Sequence, residues 1–184
     1  MPTVVVPFRR ESAKLRLQPL PDEARAALAA AMLEDVLAAA ETVGVRTIVA
    51  PEANQGEAVG LALRGGDSGP ILIVNADLPC ARPRDLLTLL GALPNGGMAL
   101  VEARDGTTNA LALAATHLFA PLYGPGSAAR FRARAERLDA PVVTADIPNL
   151  VDDVDTVADL ERLESRLGPH TAAALGELRA GLTL

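Results

Sequence analysis

The stretch ILIVNADLP, residues 71–79, begins as four apolar, mostly β-branched residues and breaks off at Asn75, Asp77 and a proline turn. A short apolar run of this kind reads as a buried strand, here one that delivers a carboxylate to its carboxyl end. The run extends over 70–77, and similar runs stand at 3–6, 46–50, 98–103, 109–114 and 141–145. Helical patterns lie between and after them, at 22–42, 56–64, 83–92, 127–138, 156–167 and 170–180. In the first of these Leu28, Met32, Val36 and Ala40 recur every fourth residue beside Leu33 and Leu37, which makes an apolar stripe. Strand and helix in alternation predict an α/β fold, a mainly parallel central sheet flanked by helices, with residues 1–184 as one domain. Ligands of such sheets collect outside the carboxyl ends of the strands, so the residues just after each apolar run are the candidates for chemistry.

Composition narrows the choice. The 184 residues are 49% hydrophobic and carry a net charge of −6, with three Phe, one Tyr and no Trp. Nucleic-acid binding calls for a basic surface and stacking aromatics, and neither is present. No apolar run is long and uncharged enough to span a membrane. A single Cys80, with no leader-like start, predicts a cytoplasmic protein. His117 and His170 stand alone, which argues against zinc.

Four stretches remain. VVVPFRRESAKLRL (4–17) leaves the first strand at Pro7 and gathers Arg9, Arg10, Lys14 and Arg16; Lys14 is the only lysine in the chain. Cations at the end of a first strand suit a phosphate-rich ligand, the lysine as a compact point charge and the arginines as planar forks. Asp77 suits a hard cation such as Mg²⁺, which takes one or two carboxylates together with phosphate oxygens and water. LVDDVDTVADL (150–160) offers the partners: Asp153 and Asp155 alternate, so in extended chain they point the same way, whereas Thr156 and Asp159 have capping-box spacing. Asp152 fits the helix-start role better than the metal. In YGPGSAARF (123–131) Gly124 and Gly126 permit close backbone approach and Ser127 sits at the expected N-cap, a place for a phosphate or carboxylate; Thr108 and Asn109 of DGTTNALAL (105–113) add a hydroxyl and an amide. Arg130, Arg134 and Arg137 read as a solvated helix face, and Cys80 as a packed thiol.

In order and spacing, VPFRRESAKLRL, EARAALAAAMLEDVLAAA, NADLP, GTTNALAL, YGPGSAARF and LVDDVDTVADL resemble the 2-phospho-L-lactate guanylyltransferase family of deazaflavin coenzyme (F-420) biosynthesis, which also includes phosphoenolpyruvate guanylyltransferases. The resemblance implies a nucleotide-diphospho-sugar transferase-like, Rossmann-like fold and transfer of GMP from GTP to the phosphate of a small phospho-acid, with pyrophosphate released. It implies Lys14 and Arg16 at the GTP phosphates, Arg9 and Asn54 at the nucleotide, and Asp77 with Asp155 or Asp153 on Mg²⁺. Thr108, Gly124 and Ser127 would hold the phospho-acid. It further implies a labile product handed to a downstream phospholactate transferase, and it is compatible with a homodimer. The chain departs from the family at Arg9, where Lys is usual, at Leu15, where Ser is usual, and at EANQG (52–56), which replaces a Gly-Leu-Asn segment. Two other readings stand beside it: a nucleotidyltransferase with a different base or acceptor, such as 3-phosphoglycerate or the molybdenum cofactor, and a non-catalytic nucleotide-binding module.

Overall fold

A computed structural model of the chain describes residues 2–8, 17–44, 46–50, 55–63 and 69–182. Six strands, β1 (Thr3–Pro7), β2 (Arg46–Ala50), β3 (Ile71–Val74), β4 (Met98–Glu102), β5 (Thr108–Leu113) and β6 (Val142–Thr144), form one sheet in the order β2-β1-β3-β5-β4-β6. The helices are α1 (Asp22–Val43), α2 (Gln55–Ala62), α3 (Pro83–Gly91), α4 (Ser127–Arg137), α5 (Pro148–Val151), α6 (Val157–Leu163) and α7 (Pro169–Leu182). Every expected strand is present. The helix expected over 156–167 is broken instead: α6 gives way to a 3₁₀ turn over Glu164–Arg166.

The sheet is mixed. β1 lies parallel to β2 and β3, and β4 lies parallel to β6, but β5 runs against both of its neighbours, β3 and β4. The cause is the length of the connection. Only residues 103–107 join β4 to β5, enough for a hairpin and too few for the crossover of about a dozen residues that a parallel return needs. The start of β5 therefore lands beside the carboxyl ends of β3 and β4, and Asn75 donates its N–H to the Asn109 carbonyl at 3.0 Å.

Side-chain alternation sorts the strands into two layers. Val4, Val6, Leu72, Val74, Ala99, Val101, Ala110 and Ala112 meet Val36, Ala40, Leu86 and Leu89 of α1 and α3. Val5, Ile71, Ile73, Met98, Leu100, Leu111 and Leu113 face the other way, onto Val59, Phe131 and Ala135 of α2 and α4. A third apolar cluster brings Leu17, Leu28 and Met32 together with Cys80, Val154, Leu160, Leu163 and Leu175. Because it holds Cys80 and Val154, it anchors the two loops that carry the acidic residues. The C-terminal tail belongs to this structure as α7, which packs on α1. The buried Asp35 carboxylate accepts the N–H groups of His170 and Thr171 at 3.0 and 2.9 Å, capping α7 from another helix.

Candidate active site at the carboxyl edge of the sheet

Asp77 follows β3, and Asp153 and Asp155 follow α5. One carboxylate oxygen from each lies within 4.8 Å of the others, and all three residues are half-buried. The two loops are bonded directly, the Val154 N–H donating to the Asp77 carbonyl at 3.0 Å; from the segment ahead of α7 the Gly168 N–H also donates to the Pro79 carbonyl at 2.7 Å. Along 152–155 burial alternates, with Asp152 and Val154 inside and Asp153 and Asp155 half-exposed. That is the period of an extended chain, and it turns residues 153 and 155 toward Asp77. Three hard anionic donors converging at a strand end fit a divalent cation of the Mg²⁺ type.

Asp152 plays a different part. Only 4% exposed, it accepts hydrogen bonds from three guanidiniums: Arg104 Nε at 2.7 Å, Arg162 at 2.9 Å and Arg166 at 2.6 Å. Burial opposes its charge, but these three bonds outweigh it and hold its carboxyl well below the usual carboxylate range. The capping box is present beside it. Asp159 Oδ2 accepts from the Thr156 N–H at 2.9 Å, while the Thr156 hydroxyl accepts from the Asp159 N–H at 3.3 Å. Arg166 also donates to Asn149 Oδ1 at 3.2 Å, and Asn149 donates to Asp85 Oδ2 at 2.9 Å, which ties α5 to the start of α3.

The beginning of β5 contains a bulge. Val101 pairs with Ala110 but Glu102 pairs with Thr108, so Asn109 is the extra residue. The bulge reverses the alternation of the strand. Asn109 turns to the α5 side, where its amide donates to the Leu150 and Val151 carbonyls at 3.0 and 3.1 Å. Thr108 turns to the α4 side, where its hydroxyl accepts from Ser127 Oγ at 3.1 Å. The expected amide contact from Asn109 to a ligand is thus replaced by a structural one, which holds the segment leading into 152–155.

Ser127 is the first residue of α4 rather than its N-cap. Gly126 is the N-cap, in the left-handed region at φ 68°, and Gly124 has φ 106°. Both conformations disfavour a side chain, so the turn requires glycine at these two points. Ser127 and Thr108 are buried, at 0% and 1% exposure. The Ser127 N–H donates to the Gly124 carbonyl and the Ala128 N–H to the Gly106 carbonyl, so the turn, the β4–β5 loop and α4 form one bonded unit. Arg130 and Arg137 are exposed, as a solvated face requires, but Arg130 and the half-buried Arg134 also staple the preceding segment. Arg130 donates to the carbonyls of Leu122, Tyr123 and Pro125, and Arg134 to those of His117, Leu118 and Phe119. Tyr123 also sets its ring edge-on to Phe131, with centroids 5.4 Å apart.

The structure thus brings Asp77, Asp153 and Asp155 into one cluster, and sets Thr108 of β5 against Ser127 at the end of the Gly124–Gly126 turn, at the same edge of the sheet. Arg9, Lys14, Arg16 and Asn54 lie outside the described residues. Cys80 is fully buried in the third apolar cluster, where burial pushes its thiol up, as a packed residue requires. Among the described residues no helix is long and apolar enough to cross a membrane. Sequence reasoning missed the clasp around Asp152 and the stapling by Arg130 and Arg134. The signal for neither is local, since Arg104, Arg162 and Arg166 are separated by up to 62 positions in the chain.

No protein-family model matches the chain. The phosphoenolpyruvate guanylyltransferase of Nocardia farcinica is 34% identical, over 92% of this chain and 88% of the relative. The 2-phospho-L-lactate guanylyltransferase of Natrialba magadii is 32% identical, over 98% and 90%. A crystal structure from Desulfovibrio desulfuricans, described as of nucleotide-diphospho-sugar transferase type, superposes with a TM-score of 0.74 over 97% of this chain and 95% of its own, at 16% identity, which speaks for the fold. With relatives this similar along nearly its full length, and with the nucleotide-diphospho-sugar transferase-like fold, the chain belongs to the phosphoenolpyruvate and 2-phospho-L-lactate guanylyltransferase family.

Proposed function

We propose that this protein transfers GMP from GTP to the phosphate of a small phospho-acid, phosphoenolpyruvate or 2-phospho-L-lactate, and releases pyrophosphate. The observation that carries this reading is the convergence of Asp77, Asp153 and Asp155 at the carboxyl edge of the sheet, the edge at which Thr108 of β5 also meets Ser127. A phosphate oxygen of the acceptor attacks the α-phosphorus of GTP. The new P–O bond forms as the bond to the β-phosphate breaks, and the electron pair leaves with pyrophosphate. Since the acceptor brings its own nucleophile, no activated Ser or Cys is needed, and the buried Cys80 and hydrogen-bonded Ser127 fit that economy.

Asp77, Asp153 and Asp155 would hold Mg²⁺, which when bound neutralises phosphate charge and orients the reacting oxygens. The side chains supply position. By the family resemblance Lys14 and Arg16 would face the GTP phosphates and steady the departing charge, Arg9 and Asn54 would contact the nucleotide, and Thr108, Gly124 and Ser127 would hold the acceptor's carboxylate or phosphate. The product, a mixed anhydride of two phosphates, suits direct passage to the transferase that consumes it.

Purified protein is incubated with each nucleoside triphosphate, Mg²⁺ and phosphoenolpyruvate, 2-phospho-L-lactate or 3-phosphoglycerate, and pyrophosphate release is followed. The expected result is release with GTP and one of the first two acids, abolished by EDTA and restored by Mg²⁺. Absence of release with GTP and every acceptor overturns the reading.

A further inference from the structure

We propose that Asp152 is a positioning residue for the Asp77, Asp153 and Asp155 cluster, clasped by Arg104, Arg162 and Arg166 so that the two neighbouring aspartates are held in place before any cation arrives. The proposal rests on reading that cluster as the metal site. Asp152 joins four pieces of the fold: its own loop, the β4–β5 loop through Arg104, α6 through Arg162 and the turn at 164–166 through Arg166.

Two further fasteners lie along the same stretch. Val154 is sealed into the third apolar cluster and bonded to the Asp77 carbonyl, and the N–H groups of Asp155 and Thr156 both donate to Asp159 Oδ2 at 3.3 and 2.9 Å. Asp153 and Asp155 are thereby flanked on each side by a fixed residue. A buried carboxylate is a poor way to gain stability, because an apolar residue of similar size fills the space without the cost of desolvation. It is an effective way to fix a backbone, because three charge-assisted hydrogen bonds from three elements are directional. The clasp also places three cations around one anion, next to three carboxylates that repel one another when packed this closely.

The test measures Mn²⁺ binding to the full chain by electron paramagnetic resonance, without substrates, beside thermal unfolding. Asp152→Asn keeps the shape and removes the charge. Asp35→Asn, altering an equally buried carboxylate at the start of α7, controls for general loss of stability. The expected result is an affinity at least about tenfold weaker in Asp152→Asn, the range typical of residues that orient metal ligands, with wild-type affinity in Asp35→Asn. Equal affinity in Asp152→Asn and wild type overturns the proposal, and so does an equal loss in both variants. If the wild type itself binds no Mn²⁺, the metal reading of the cluster falls and takes this one with it. Should Asp152→Asn fail to fold, Arg104→Gln decides. That side chain is 70% exposed, and its removal should weaken Mn²⁺ binding by about threefold if the clasp orients the ligands, whereas unchanged affinity overturns the proposal.

Discussion

The two corners of the site are fastened in different ways. At the acidic corner, charge meets charge: three guanidiniums converge on Asp152, and the loop beyond it carries Asp153 and Asp155 to Asp77. At the glycine corner every bond is neutral on at least one side. Arg130 spreads over three backbone carbonyls, and two buried hydroxyls, Ser127 and Thr108, bond to each other. The difference teaches what each corner is asked to hold. Like charges crowded together need directional anchors behind them, whereas a turn whose Ser127 and Ala128 N–H groups already bond to nearby carbonyls needs only its shape kept.

The largest expected effect lies at the acidic corner. Asp77→Asn should cut pyrophosphate release by at least about a hundredfold, since a neutral amide replaces a charged donor where phosphate charge must be offset. The fold should persist, because the contact to Val154 is made by the Asp77 main chain. Steady-state rates together with a thermal unfolding curve check both halves, and a near-normal rate would dissolve the contrast between the corners.

An intermediate effect is expected at the glycine corner, and a pair of variants sharpens it. Ser127→Ala leaves the buried Thr108 hydroxyl without its donor and should cost about 1–3 kcal/mol of stability. Combining it with Thr108→Val removes both partners and should restore much of that loss, while the KM for the phospho-acid stays raised if these hydroxyls hold it. Urea midpoints report the first quantity and initial rates the second. Recovery of both together would make the pair purely structural. The smallest effect belongs to Arg130→Ala, which unfastens an exposed staple and should cost about 1 kcal/mol in the same urea measurement, with the KM for GTP unaltered.

Much of this could be read directly. The apolar runs located all six strands, the stripe through Leu28, Met32 and Val36 located the buried face of α1, and the alternation of Asp153 with Asp155 anticipated the cluster with Asp77. Such signals are local, because strand and helix periods repeat within a few residues. The fate of Ser127 was not legible. A serine after Gly-Pro-Gly has the look of an N-cap, but Gly126 already adopts the left-handed backbone at the cap, so the serine begins the helix and its hydroxyl turns to β5. Arg130, Arg134 and Arg137 have the spacing of a solvated face, yet Arg130 and Arg134 also donate to carbonyls 5 to 17 residues earlier in the chain, in the connection between β5 and α4.

By itself the sequence determined the α/β class, the single-direction bias of the strands and the residue types that a phosphate-rich, cation-dependent site requires, because each of these follows from local periodicity and from side-chain chemistry. Only the tertiary structure decided which residues work together. A five-residue connection reversed β5 and a bulge at Asn109 inverted its alternation, sending Thr108 to Ser127 and Asn109 to the segment before Asp152. Distant arginines then converged on Asp152. Register and long-range pairing depend on what lies across the sheet, so no local reading of the chain contains them.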